Sequence, residues 1–129
     1  MSVNRLEALF DSIAALKGWH DPDSEAYQLR NPILVQSFSK PGKNVIDDKG
    51  RRIFTSALAG IRAGLFDLEI KVKGESRAGL KAEDKLENIL RVLGIDQKLG
   101  QTQIVRFLKR ALKTQDISVT TPLAWFLEE

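Results

Sequence analysis

The stretch DDKGRRIFTSALAGIRAGLFDLEIKVKG, residues 47–74, decides how the rest of the chain is read. Within it Phe54, Leu58, Ile61, Leu65, Leu68 and Val72 advance by alternating steps of four and three, which places all six on one stripe of an α-helix. Asp47 or Asp48 suits the N-cap, and Gly74 is the residue type that ends a helix in the left-handed conformation. The pattern predicts one long central helix over about 48–73. A neighbouring stripe of Ile53, Ala57, Gly60 and Gly64 is small. Glycine inside a helix costs about 1 kcal/mol relative to alanine, and the contact expected to offset that loss is the close approach of a second helix.

Helical spacing recurs on both sides of this segment. Val3, Leu6, Leu9, Phe10, Ile13 and Leu16 mark a first helix between Ser2 as cap and Gly18 as stop. Leu86, Ile89, Leu90 and Leu93 mark another that ends at Gly94, and Ile104, Phe107, Leu108, Ala111 and Leu112 a third that starts after Gly100 with Thr102 as cap. Asp21-Pro22 and Asn31-Pro32 each have the form of an N-cap followed by proline at the first helical position, which predicts two short helices. Lys40-Pro41-Gly42-Lys43 reads as a turn or loop. The apolar run 33–35 fits a strand as well as a helix, because runs of that length carry no period, and the short, β-branched segment 117–120 leaves a strand open. Thr121-Pro122 then opens a last apolar turn through Trp125, Phe126 and Leu127, expected to dock on the body.

These segments add up to the all-α class, a compact bundle of about five or six helices around the central one. A chain of 129 residues is long enough for one hydrophobic core and too short for two, so residues 1–129 read as a single helical domain. With 43% hydrophobic and 29% charged residues, the composition is that of a folded globular chain and not of a disordered one.

Composition also removes several chemistries. The chain has no cysteine, so disulfides, thiol nucleophiles, thiolate zinc sites and iron–sulfur clusters are excluded together. Glu7 and Asp11 interrupt the first apolar stretch, which breaks the core of a secretory signal, and no uncharged run approaches the roughly 20 residues of a bilayer span. The expectation is a soluble, cytoplasmic protein with no membrane partner.

Four features bear on function. The single histidine stands in Trp19-His20-Asp21-Pro22-Asp23, but nothing else is spaced to complete a metal site, so a structural turn is the expectation and no metal is implied. No serine sits in a nucleophile-elbow motif, and no catalytic residue is assigned. The loop from Lys71 to Lys81 has two glycines among Lys71, Lys73, Arg77 and Lys81, a pattern that suits a phosphate or carboxylate, although it is neither a P-loop nor a dinucleotide fingerprint. Arg106, Lys109, Arg110 and Lys113 share one side of a later helix, as a DNA-recognition helix would arrange them, but the connection from Gly94 to Gln101 is too long for a helix-turn-helix.

The net charge of +3 is uneven, since residues 51–80 sum to +3 and residues 81–115 to +4 while the two ends are acidic. That asymmetry falls short of a dense basic stripe. The resulting expectation is a non-enzymatic helical protein-interaction module without a cofactor, with Trp125 and Phe126 as partner contacts. A protein partner or self-association is favoured. The alternative is nucleic-acid or phosphate-ligand binding through the eight cations of the basic second half.

Overall fold

Ser56 decides where the central helix starts. Its backbone is extended and its hydroxyl accepts the Ala59 N–H at 3.1 Å, so the helix begins at Ala57 and runs to Lys73. The expected start near residue 48 is therefore corrected, with Asp47 and Asp48 lying outside the described residues. Those are residues 4–35, 51–75 and 79–128 of the computed structural model. Among them the chain is all-α, with α1 (Arg5–Leu16), α2 (Glu25–Gln28), α3 (Ala57–Lys73), α4 (Leu86–Val92), α5 (Lys98–Leu112) and a terminal 3₁₀ turn (Leu123–Leu127).

One core joins α1, α3, α4, α5 and the terminal turn. Leu9 and Ile13 of α1, Leu68 and Val72 of α3, Leu86, Ile89 and Leu90 of α4, Ile104 and Leu108 of α5, and Leu123 and Phe126 of the terminal turn are all at or below 1% exposure. Helix α1 lies along α5 and also meets α3 and the terminal turn. Each fully buried aliphatic or aromatic side chain contributes about 1.5–3 kcal/mol through removal from water, and the members of the core run from Ala8 to Phe126.

The glycine stripe of α3 does make close contacts, but with two different neighbours. A Cβ on Gly64 would lie 2.7 Å from Cε2 of Phe10, which is the expected helix–helix approach, here against α1. A Cβ on Gly60 would lie 1.8 Å from the carbonyl oxygen of Arg30, so this glycine faces a turn and not a helix.

That turn replaces the second of the two short helices. Asn31 is fully buried; its amide nitrogen donates to the carbonyls of Val35 (3.0 Å) and Arg52 (2.9 Å), and its amide oxygen accepts from the Val35 N–H (2.8 Å). Bonded in this way the side chain ties 31–35 to 51–54 instead of capping a helix, and 33–35 is part of the tie, not a strand. Arg52 N–H donates to Val35 and Phe54 N–H to Leu29, so Phe54 enters the interior from ahead of α3. Arg30 and Leu34 adopt positive φ without being glycine, a conformation that persists where surrounding bonds enforce it.

Other caps also shift. Asn4 caps α1 by accepting from the N–H groups of Leu6 and Glu7, while Ser2 and Val3 lie outside the described residues. Asp21 accepts the Asp23 N–H in a tight turn, and Ser24 caps α2 instead. Helix α5 starts at Lys98, so Thr102 is inside it, and Gly100 fits there because a Cβ would meet Ile95 at 3.1 Å. The first N–H groups of α4 go to the tail: Leu86 donates to Thr121 at 2.8 Å and Glu87 to Val119 at 2.9 Å. Residues 117–120 form no strand, and the tail touches Lys85 only through an isolated bridge at Pro122.

Candidate functional site

Shortening α3 at its start changes what its apolar stripe can bury. Leu68 and Val72, near its end, are enclosed, whereas Leu58 is 56% exposed and Ile61 and Leu65 are only partly covered. Ile61 and Leu65 lie one helical turn apart and form one wall of a groove of about 520 Å³. Phe10, Ala14 and Ala15 of α1 and Phe107 of α5 supply the rest of the apolar lining, with Trp19 from the turn after α1. A second depression shares Trp19 and His20 and continues past Tyr27 to Ala57. The apolar surface therefore extends beyond a single pocket, and Phe66, 65% exposed, follows Leu65 on the outer side of α3.

Glu7, Asp11 and His20 stand on this groove. Burial holds the Asp11 carboxyl above the ordinary carboxylate range, the charge of Glu7 adds to the effect, and His20 opposes it. Neither carboxylate forms an ion pair among the described residues. No hydrogen bond joins Asp11 to His20 there either. Among the described residues, no group of three or more histidine or carboxylate side chains stands close enough to hold a metal ion. The arrangement can accept an apolar side chain and, beside it, a cation.

The cations singled out from sequence have different surroundings. Lys71 is buried and pairs with Asp67, while Lys73 pairs with Glu69 at 3.1 Å. Arg77 lies outside the described residues. Lys81 is exposed on a turn held by Asp84, which accepts its backbone N–H at 2.8 Å. Arg106, Arg110 and Lys113 are exposed along and just after α5, with Lys109 partly covered. Instead of the α5 cations, Lys71 shares a cavity with Lys17 and Arg51, two residues that sequence reasoning passed over.

The tail residues divide. Phe126 is enclosed in the core, and Trp125 meets it edge-on with ring centroids 5.1 Å apart. Arg5 covers the outer face of Trp125, its guanidinium 3.9 Å from the ring centroid and one nitrogen donating to the Trp125 carbonyl at 3.0 Å. The groove residues Ile61, Leu65 and Phe107 were legible as apolar positions but not as exposed or partly exposed ones, because periodicity gives a face and not what covers it.

No family model matches the chain, and neither a curated protein nor a solved structure matches it.

Proposed function

We propose that the protein is a non-enzymatic interaction module whose groove between α1, α3 and α5 receives an amphipathic helix of a partner protein carrying lysine or arginine beside its apolar face. The observation that carries this reading is the pairing of an open apolar trough with two carboxylates, Glu7 and Asp11, that form no ion pair among the described residues. Apolar surface left together on a small domain marks interaction sites more often than chance exposure does, and a helix laid in such a groove is anchored at i, i+3, i+4 and i+7. Glu7 and Asp11 select the sign of the flanking charge, since like charges across an interface are repelled.

The proposed setting is cytoplasmic, which the cysteine-free composition accommodates. Among the described residues no helix is long and apolar enough to cross a membrane. A second copy of the chain is the other protein partner to consider, and light scattering across a concentration series separates it from a foreign one.

The test uses two labelled synthetic helices with the same leucine face, one flanked by lysines and the other by glutamates. Fluorescence anisotropy should show the lysine peptide binding at least about tenfold more tightly, a difference of roughly 1.4 kcal/mol. Glu7→Gln combined with Asp11→Asn should abolish the preference, and Leu65→Ser should weaken both peptides. Equal binding of the two peptides, or a preference that survives the double variant, would refute the proposal.

A further inference from the structure

A second cavity, of about 320 Å³, opens where the end of α1, the 33–35 turn and the end of α4 meet, and it shares no residue with the groove. Three cations line it, Lys17, Arg51 and Lys71, against one carboxylate, Asp67. Two of the three have partners: Lys71 is bonded to Asp67 one helical turn away, and Arg51 is bonded to Glu25. Lys17 has none among the described residues. It is half-buried, and its ammonium lies over Gly94, only 3.2 Å from where a Cβ would stand, yet it donates no hydrogen bond to a carbonyl at the end of α4. Burial and the nearby Arg51 both lower the Lys17 pKa from its ordinary value, so the Lys17 ammonium stands beside a second cation with no anion bonded to it among the described residues. Like charges gathered in a concave site are a recognised mark of ligand binding. The rest of the lining, Ile33, Val35 and Leu93 among it, is apolar.

We propose that this cavity binds a small organic anion, with its acidic group among Lys17, Arg51 and Lys71 and its apolar part on Ile33, Val35 and Leu93. The size decides between ligand classes. A volume near the lower end of small-molecule sites admits a metabolite-sized acid and excludes a nucleic-acid strand. Lys17, which has no anionic partner among the described residues, matches one carboxylate. Glu25 and Asp67 orient the other two cations as donors, and Gly94 keeps the space above Lys17 open.

Hexanoate and acetate are suitable probes, since they share the acidic group and differ in the apolar part. Titration followed by amide NMR should show saturable shifts at Lys17, Arg51 and 92–94, with hexanoate binding at least fivefold more tightly than acetate. Lys17→Gln and Lys17→Met should each weaken hexanoate by tenfold or more while leaving the melting temperature of the free protein unchanged or raised, because the unbound chain loses only a repulsion. Lys73→Gln, whose lysine pairs with Glu69 away from the cavity, should bind hexanoate as the natural chain does. The proposal is overturned by shifts that map elsewhere, by hexanoate and acetate binding alike, or by full binding in the Lys17 variants.

Discussion

Replacing Gly60 with alanine should destabilise the protein even though alanine is the better helix former. In an exposed helix the substitution gains about 1 kcal/mol. Here the new methyl would stand 1.8 Å from the Arg30 carbonyl oxygen, and Cδ of Pro32 is also close, at 3.1 Å. A carbon and a carbonyl oxygen approach to about 3.3 Å, so α3 and the turn must separate by roughly 1.5 Å. The obstructing atom is backbone and cannot rotate away as a side chain would. Its segment is also fixed, since Asn31 N–H donates to Ala26 at 2.9 Å and Phe54 N–H to Leu29 at 2.9 Å. Overpacking of this kind costs about 1–3 kcal/mol, and the rigid obstruction argues for the upper end. Against the helix gain, a net loss of about 2 kcal/mol remains, or about 8 °C in Tm at roughly 4 °C per kcal/mol for a domain of this size. Gly64→Ala is the internal comparison, because it meets the Phe10 ring edge at 2.7 Å and a ring can tilt toward the groove. Its net effect should stay within about 1 kcal/mol. Thermal melting by circular dichroism and urea unfolding read both values. A Gly60→Ala protein that melts at or above the natural chain would show that α3 does not press on the 30–32 turn.

Phe126→Ala should cost about 3–5 kcal/mol, the usual range for deleting a buried aromatic ring, measured by urea unfolding. A loss under about 1 kcal/mol would mean the tail is not part of the core. Asp11→Asn should raise the melting temperature at pH 7. A carboxyl whose folded pKa is raised is penalised once ionised, so the penalty is full above that folded pKa and fades as pH falls toward about 3.9, the unfolded value. The gap between variant and natural chain should therefore close in acid. Labelled DNA and RNA should bind weakly at near-physiological salt, because Glu75, Glu83, Asp84 and Glu87 are interleaved with the first group of cations. Submicromolar binding that falls steeply with salt and is lost on changing Arg106, Lys109 and Arg110 to glutamine would instead support a polyanion site.

The helical class, the core stripes of α1, α4 and α5 and the close approach at Gly64 could all be read from spacing and from residue size. Spacing failed where a polar side chain had two possible roles. Asn31 before Pro32 has the form of a helix cap, but its three hydrogen bonds run to residues up to 21 positions away, and no local pattern encodes that choice. Phe54 continues the α3 stripe in register, yet it is buried from an extended segment, so a perfect period concealed a change of backbone at Ser56. The groove was hidden for a related reason. Ile61, Leu65 and Phe107 sit on apolar faces that sequence assigns to a core, and only the three-dimensional arrangement leaves them open. Lys17 and Arg51 gave no signal because 34 residues separate them and neither lies in a motif.

The proposed binding groove lies between α1, α3 and α5, and amide and methyl NMR of the full chain titrated with the lysine-flanked helix locates the contact. Binding in the groove predicts shifts concentrated at Phe10, Ala14, Ala15, Trp19, Ile61, Leu65 and Phe107, with the Asp11 side chain responding as the peptide's cation arrives. Shifts confined to Trp125 and the terminal turn, to the exposed cations of α5, or to no residues at saturating peptide would contradict it.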